Sequence, residues 1–307
     1  MTRNVLVVSD LSPAEIATVL DLSERPRLPR ALEGRGVALV FEFPSARTRN
    51  AAEMAVVDLG GHPVTIRGEE IGFDVRESVE DVARTLACYH ALIAARVADH
   101  RTLGRAVTAL AGAGAEVPVV NLLSDRAHPT QALGDLLTIR QCLGALEGKK
   151  VAFIGDVNNV CRSLTAACVA LGVAVTVASP PGYQCDREFV EAARAEGGVV
   201  EITDDPVEAV GGADVVYTDV WVSMADKAEA AAKRAAFAGF AVDAALVARA
   251  APGAIVLHCL PAHRGEEISA DVLEGPRSRV WLQAANRRHA MRGLFSFLVQ
   301  SADGSAR

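Results

Sequence analysis

The stretch Ala254-Ile-Val-Leu-His-Cys-Leu-Pro-Ala-His-Arg-Gly-Glu-Glu267 carries the strongest indication of the fold. Its first four residues form a short apolar run typical of a buried strand, and thiol, imidazole and charged side chains follow at once. Open α/β sheets bind their ligands at the carboxyl ends of parallel strands. The stretch therefore predicts an α/β fold with a functional site just after Leu257.

Apolar runs of strand length alternate with helix-period segments along the chain. Strands are predicted at 37–42, 64–66, 119–122, 151–154, 173–178, 199–202, 215–217 and 254–257. Helices are predicted at 50–59, 79–98, 128–143, 188–196 and 288–300, and a further helix follows the loop 155–159 and extends to residue 170. The Ala-rich segment 228–236 is predicted to be a solvated helix or a mobile loop. Residues 148–150 indicate a hinge, after which the pattern restarts. We therefore predict two lobes, each a parallel sheet flanked by helices.

The composition excludes several classes of protein. The 307 residues include 31 basic and 38 acidic side chains, a formal net charge of −7 and no long basic block, which argues against binding of nucleic acid. No apolar segment approaches the ~18 residues of a membrane span, and the first four residues do not resemble a signal peptide. Six cysteines without a C-x-x-C pair form no recognisable disulfide framework. A reducing cytoplasm is the expected compartment, with neither membrane nor nucleic acid as partner.

The segment Pro44-Ser-Ala-Arg-Thr-Arg49 is predicted to lie at a strand end and at a helix N-terminus. Unsatisfied backbone N–H groups and the positive end of the helix dipole favour an anion there. Ser45 and Thr48 add hydroxyl donors, and the Arg47 guanidinium suits a phosphate. The segment lacks the P-loop pattern, and an ordinary Ser N-cap with solvated arginines explains the same residues equally well.

Three further segments offer polar side chains beside predicted strands or helices. His128-Pro-Thr-Gln131 opens a helix, where a neutral His could polarise a carbonyl group or simply cap the helix. Gly155-Asp-Val-Asn-Asn159 follows a strand but lacks G-x-G-x-x-G, so its side chains suit the carboxylate of an amino acid better than a nicotinamide. Asp219-Val-Trp-Val-Ser-Met224 offers a carboxylate and a hydroxyl for an ammonium group, or forms a turn with an N-capping Asp.

The polar stretch from His258 onward admits a metal site or a cysteine nucleophile. His258, Cys259 and His263 lack the C-x-x-C and H-E-x-x-H spacings of established zinc sites. A nucleophilic Cys259 needs a positioned base, and in a strand the adjacent His258 points to the opposite face. His263 stays a candidate base, so neither alternative is favoured and the covalent one stays open.

In order along the chain, these segments resemble the aspartate/ornithine transcarbamylase family, and within it the ornithine carbamoyltransferases most closely. Pro44–Arg49 resembles the family's Ser-Thr-Arg-Thr-Arg loop, and 128–131 matches its His-Pro-x-Gln. Residues 155–159 match its Gly-Asp-x-Asn-Asn, 219–224 are similar to its Asp-x-x-x-Ser-Met, 258–264 reproduce its His-Cys-Leu-Pro-Ala-His-Arg, and Asn286-Arg287 resembles the end of its Glu-Asn-Arg. The resemblance covers nearly the whole chain.

The resemblance implies an enzyme of arginine biosynthesis. It would move the carbamoyl group of carbamoyl phosphate to the side-chain amine of ornithine, giving citrulline and phosphate, without metal or organic cofactor. It also implies a homotrimer whose active sites lie between the lobes and borrow a loop from the neighbouring subunit. Residues 1–130 with the C-terminal helix 288–307 would form the carbamoyl-phosphate domain, 148–287 the amino-acid domain and 131–147 a linking helix.

The resemblance further implies the residues of the site. Carbamoyl phosphate would be bound by Ser45, Ala46, Arg47, Thr48, Arg96, His128, Gln131, Cys259, Leu260 and Arg287. The amino acid would be bound by Asn158, Asn159, Asp219, Ser223 and Met224. Arg96, His128 and Cys259 would act in catalysis, and Leu260–Pro261 is expected to be a cis bond.

At several positions the chain departs from the family pattern. These positions are Ala46, Arg76, Val157, Ala225, Leu282 and Ala285. They leave the implied phosphate contacts mostly intact but leave the second substrate open. A paralogue acting on another diamino acid, such as diaminopropionate or lysine, is one alternative, and a non-catalytic relative that binds an anion is another.

Overall fold

The computed structural model of the chain describes residues 2–185, 187–195, 197–222 and 230–305. Two compact units divide the chain: Met1–Leu137 with Ala285–Arg307, and Thr138–Ala284. Each contains a parallel sheet flanked by helices, so the predicted fold class is confirmed. Among the described residues, no helix has both the length and the apolarity that a membrane crossing requires.

The first unit is built on a parallel sheet of order β2-β1-β3-β4. Its strands are β1 (Gly36–Phe41), β2 (His62–Arg67), β3 (His90–Arg96) and β4 (Val119–Leu123). Its helices include a 3-10 turn at Val8–Asp10, α1 (Pro13–Glu24), α2 (Ala46–Asp58), α3 (Gly68–Ile71), α4 (Val79–Ala87) and α5 (His100–Gly112). The chain leaves this unit within α6 (Pro129–Leu143) and returns to it within α13 (Val280–Ser305).

The second unit is built on a parallel sheet of order β7-β6-β5-β8-β9. Its strands are β5 (Lys150–Ile154), β6 (Ala174–Ala178), β7 (Val200–Thr203), β8 (Val215–Thr218) and β9 (Ile255–His258). The helices are α7 (Asn159–Ala170), α8 (Arg187–Ala195), α9 (Pro206–Val210), α10 (Ala230–Ala236), α11 (Ala244–Val247) and α12 (Ala270–Leu273). From β5 the chain adds β6 and β7 on one side of the sheet and then β8 and β9 on the other. Such a switch point is where open α/β sheets hold their ligands.

Burial explains why the central strands are almost wholly apolar. Val37 to Phe41 are all buried in β1, and β9 is buried throughout, because helices cover both faces of a parallel sheet. In the second unit the rings of Phe153 and Tyr217 stack at 5.5 Å. Burying each such side chain contributes about 1.5–3 kcal/mol, so these central strands contribute much of the stability of the second unit.

One predicted element is wrong, and it positions Arg96, a predicted site residue. The helix expected over 79–98 ends at Ala87, and β3 then runs from His90 to Arg96. The run is rich in alanine, which favours a helix, but residues of β3 pair with both β1 and β4. A short apolar run of this kind does not distinguish strand from helix by periodicity, and the sheet pairing decides. Arg96 consequently lies at a strand end, opposite Phe41 in the register.

Helix ends also differ from prediction. The helix expected from residue 50 begins at Ala46, and the final helix begins at Val280 rather than near residue 288. The segment 228–236 is helical over its described part, Ala230–Ala236. Helices α1 and α5 were not among the predicted elements, although each has a capping side chain, Ser12 and Asp99 respectively.

Candidate functional site

The segment after β1 forms the N-terminus of α2, as predicted. Ser45 is the N-cap, and its Oγ accepts from the Thr48 N–H at 3.4 Å while its carbonyl accepts from the Arg49 N–H at 3.1 Å. The N–H groups of a first helical turn lack intrahelical partners. Ala46 and Arg47 are exposed here, so this helix end presents donors and a guanidinium to an anion.

Arginine side chains gather near this helix end. Burial and then the charge of Arg47 lower the pKa of Arg96, which places the two guanidinium groups close enough to repel. The Arg96 guanidinium lies 5.5 Å from the centre of the Phe43 ring, and its buried Nε has no hydrogen-bond partner within the described part of the chain. Repelling cations with unused donors are stabilised by a bound anion.

Arg287 joins this cluster from α13. Its Nη2 donates to Thr48 Oγ1 at 2.9 Å and lies 3.5 Å from His128 Nε2. All three residues are buried. The contact between Thr48 and Arg287 spans 239 positions of sequence. Only folding therefore brings the first turn of α2 and the segment Asn286-Arg287 together.

His128 precedes α6 and is buried. Burial, followed by the charges of Arg287, Arg96 and Arg47, lowers the pKa of His128 well below its ordinary value. The imidazole is therefore neutral at neutral pH. Desolvation is the largest cause of this lowered pKa, and the three arginine charges add to it.

Gln131 lies in the first turn of α6 and presents one unused acceptor. Its Nε2 donates to Asp135 Oδ1 at 2.8 Å, and its buried Oε1 has no hydrogen-bond partner among the described residues. An amide oxygen in this state can accept from an –NH2 group of a ligand. Asp135, which the sequence analysis missed, lies one helical turn after Gln131 and sets the direction of its amide.

Asp219 is the centre of the second unit's polar group. It follows β8 and is 6% exposed. The Asn158 Nδ2 donates to Oδ2 at 2.7 Å, while the Val220 N–H and the Cys259 thiol donate to Oδ1 at 2.8 and 2.9 Å. All three of these donors are uncharged. A buried carboxylate is stabilised by a paired cation, so this group suits an ammonium ion.

Asn158 and Asn159 begin α7. Asn158 caps the helix, with its Oδ1 accepting from the N–H groups of Val160 and Cys161, and its amide nitrogen fixes Asp219. Asn159 is partly exposed in the first turn. Ser223 and Met224, which were also predicted to contact the amino acid, and the departure Ala225 lie outside the described residues.

The contacts of Cys259 and His258 bear on the nucleophile and metal alternatives. The Cys259 thiol donates to Asp219, while His258 Nδ1 accepts from the Leu260 N–H at 2.9 Å and Nε2 lies 3.0 Å from Glu267 Oε1. Donor atoms of Asp219, His258 and Cys259 lie within 4.8 Å of one another. A metal ion bound here would have to break a hydrogen bond of the His258 ring, because both ring nitrogens already have partners. For the same reason His258 is not placed to deprotonate the thiol.

The backbone after Cys259 has two special features. Leu260–Pro261 is a cis bond, so that prediction is confirmed, and Leu260 has a φ of 61°. Cys259 and Leu260, grouped by resemblance with the carbamoyl-phosphate residues, belong to the second unit together with Asn158 and Asp219.

Another charged pair escaped the sequence analysis. Lys233 Nζ lies 2.8 Å from Asp156 Oδ2, and the ammonium group lies 5.8 Å from the centre of the Tyr183 ring. Both charges are largely buried. Lys233 lies in an Ala-rich segment that carries no motif, and 77 positions separate it from Asp156, so no local pattern indicates the pair.

Of the departures from the family pattern, Ala46, Leu282 and Ala285 are exposed, Val157 is partly exposed, and Arg76 donates to the Glu70 carbonyl at 3.2 Å.

Comparisons with known proteins agree on one family. The family described as aspartate/ornithine carbamoyltransferase matches through its carbamoyl-P binding domain over residues 3–141 and its Asp/Orn binding domain over 147–298. The ornithine carbamoyltransferase of Acidothermus cellulolyticus is 50% identical and covers 99% of both chains. The anabolic ornithine carbamoyltransferase of Pyrococcus furiosus is 42% identical over 97% of this chain and 96% of its own.

Solved structures show the same likeness. The crystal structure of the Thermus thermophilus ornithine carbamoyltransferase has a TM-score of 0.88 at 40% identity, covering 97% of this chain and 99% of that one. The Pyrococcus furiosus structure has a TM-score of 0.90 at 41% identity, covering 96% of each chain.

Proposed function

This chain belongs to the aspartate/ornithine carbamoyltransferase family, and we propose that it transfers the carbamoyl group of carbamoyl phosphate to the side-chain amine of ornithine, giving citrulline and phosphate. It is a carbamoyltransferase. The observation that carries the choice of carbamoyl phosphate is the cluster of Arg47, Arg96 and Arg287 around a neutral His128, because a cluster of this charge favours an anionic ligand.

Carbamoyl phosphate binds at the N-terminus of α2. Ser45, the Ala46 N–H, Thr48 and the three arginines hold the phosphate group, since hydroxyl, amide and guanidinium donors all suit phosphate oxygens. Ala46 lacks the hydroxyl that the family pattern has there, but its backbone N–H remains. His128 and Gln131 lie on the carbamoyl side, where the unused Gln131 Oε1 accepts from the carbamoyl –NH2.

The amino acid binds at the Asp219 group. The buried Asp219 carboxylate holds the α-ammonium, and Asn159 holds the α-carboxylate, with Asn158 fixing Asp219. Family resemblance adds Ser223 and Met224 to this site. Cys259 and Leu260 line the path of the attacking amine, and the thiol shapes that path without forming a covalent bond.

The reaction needs charge stabilisation more than acid–base groups of the protein. The neutral side-chain amine attacks the carbamoyl carbon, the carbonyl oxygen gains negative charge, and the C–O bond to phosphate breaks. The departing phosphate takes the proton that the amine loses. Arginines and helix-end donors stabilise both developing charges, and positioning of the two substrates supplies much of the remaining rate. A neutral His128 can donate an N–H to the carbonyl oxygen.

The resemblance to this family supports a proposal for the wider setting. The first domain, residues 1–130 with 288–307, binds carbamoyl phosphate, the second, 148–287, binds the amino acid, and 131–147 link them. The protein acts as a homotrimer in the cytoplasm. It serves arginine biosynthesis, a role that the word anabolic in the name of the Pyrococcus furiosus relative supports.

A panel of amines tests the acceptor. The protein is incubated with carbamoyl phosphate and ornithine, lysine or diaminopropionate, and phosphate release and ureido product are measured, with a reaction lacking amine as the control. Citrulline forming fastest supports ornithine. Preference for another amine selects the paralogous activity, and carbamoyl-phosphate binding without any turnover selects the non-catalytic alternative.

A further inference from the structure

Glu267 is a buried carboxylate close to the amino-acid site but outside it. Its side chain and that of His258 are both 0% exposed. Glu267 Oε1 lies 3.0 Å from His258 Nε2 and accepts from the His263 N–H at 2.6 Å. The Glu267 carbonyl also accepts from the Val242 N–H at 2.8 Å, so the backbone that carries the carboxylate is itself anchored.

The contacts of His258 determine which ring nitrogen carries the proton. Because Nδ1 accepts from the Leu260 N–H at 2.9 Å, Nδ1 is unprotonated. The neutral ring therefore carries its hydrogen on Nε2, which donates to Glu267. The backbone N–H of His258 donates to Gln283 Oε1 at 2.9 Å, so both the ring and the backbone of this residue are held.

The ring in turn supports an unfavourable backbone. Leu260 has a φ of 61°, in the left-handed region that L-residues other than Asn and Asp seldom adopt. The hydrogen bond from its N–H to His258 fixes the turn, and Cys259 stands between the two bonded residues. The direction of the Cys259 thiol, which donates to Asp219 at 2.9 Å, follows from this turn.

We propose that Glu267 is a positioning residue for the amino-acid site, acting through the His258 ring on the turn that carries Cys259 and Leu260. It contacts neither substrate. The role rests on the proposed function, because that function assigns Asp219 and Cys259 to ornithine.

The ring can be observed without substrate. In ligand-free wild-type protein labelled with ¹⁵N-histidine, and with the His258 signals identified by their loss in His258→Asn, we expect Nδ1 unprotonated and Nε2 protonated. Replacing Glu267 by Met, which keeps the length but removes the acceptor, should abolish this preference. A wild-type His258 that carries its proton on Nδ1 would overturn the proposal.

Kinetics separate positioning from general damage. Glu267→Met should raise the KM for ornithine at least about tenfold while the KM for carbamoyl phosphate stays within twofold. Glu267→Gln, whose amide oxygen can still accept both hydrogen bonds, should stay near wild type. Glu266→Met is the matched control, since Glu266 is partly exposed and pairs with Arg234.

The outcomes decide the role even where one variant fails. An unchanged ornithine KM in folded Glu267→Met, or equal impairment in Glu267→Gln, contradicts a positioning role for the acceptor atom. Should Glu267→Met not fold, the wild-type nitrogen spectrum and Glu267→Gln decide. If the wild type forms no citrulline, the proposed function fails, whereas the spectrum recorded without substrate still tests the orientation of the ring.

Discussion

His128 lies among three arginine side chains, and its surroundings determine whether its imidazole binds a proton. Burial is the largest cause of its lowered pKa, and the charges of Arg287, Arg96 and Arg47 act in the same direction. A protonated His128 would add a further positive charge to an already repelling cluster. The site therefore keeps a neutral imidazole beside its arginines and leaves their charge for the ligand.

Stability should consequently fall in acid. The pKa of His128 is lowered on folding, so the unfolded chain, with a His pKa near ~6.5, takes up this proton first as the pH falls. As the pH falls below about 6.5, proton uptake by His128 in the unfolded chain lowers the free energy of unfolding by up to about 1.4 kcal/mol per pH unit. His128→Gln should show a smaller loss than wild type between pH 7.5 and 5.5 in urea unfolding.

The matched control is His62→Gln, because His62 is exposed. Other partly buried histidines, His100 and His289 among them, also have lowered pKa values and keep part of the acid sensitivity in every variant. An identical pH dependence in wild type and His128→Gln would contradict the assignment to His128.

Arg47 and Arg49 lie two positions apart on one helix, and replacing each of them tests the proposed phosphate site. Arg47 is exposed at the proposed anion-binding end of α2, whereas the Arg49 Nε is paired with Glu53 Oε1 at 2.8 Å. Arg47→Ala should lower kcat/KM for carbamoyl phosphate by at least about 100-fold, because it removes a charge that stabilises the leaving phosphate. Arg49→Ala should stay within a few-fold of wild type.

Steady-state kinetics and circular dichroism check this pair together. Because Arg47 is exposed, its replacement should leave the helical content unchanged. Near-normal kinetics of Arg47→Ala would exclude the N-terminus of α2 as the phosphate site.

At the scale of elements, two helical glycines differ in what surrounds them. A Cβ at Gly293 of α13 would lie 2.6 Å from the Val19 carbonyl oxygen of α1 and closer still to Ser23 Oγ. A Cβ at Gly104 of α5 would have no atom within 4 Å apart from its chain neighbours and its own helix backbone. The first glycine thus permits two helices of the first unit to approach closely, and the second serves no such packing.

Alanine at these positions should have opposite effects. Gly293→Ala should destabilise the protein by about 1–3 kcal/mol, because α1 has to move. Gly104→Ala should stabilise it by about 0.5–1 kcal/mol through its higher helix propensity. Urea unfolding measures both, and a Gly293→Ala variant as stable as wild type would show that α1 and α13 adjust without loss.

Element type was predictable where the local pattern was unambiguous. β1, β4, β5 and β8 were expected within one or two residues of their ends, because buried apolar runs bounded by polar loops have few alternatives. β3 was not, since its alanines favour a helix and only its pairing with β1 and β4 overrides them.

At the scale of the whole molecule, several of the predicted residues contact one another within each unit. In the first, Thr48 and Arg287 are in direct contact although 239 positions separate them. In the second, Asn158 and Cys259 both bond Asp219, at separations of 61 and 40 positions. Parallel sheets place the ends of distant strands at one edge, so segments with no sequence proximity share a site.

The sequence by itself determined the alternation of strands and helices, the motif segments and the cis bond at Leu260–Pro261, because these depend on local patterns or on family resemblance. Only the tertiary structure decided the neutral state of His128, the bonding of the Cys259 thiol to a buried carboxylate, and the contacts of Asp135, Lys233 and Glu267. Burial and long-range contacts set these properties, and no local pattern in the chain encodes which distant groups will meet.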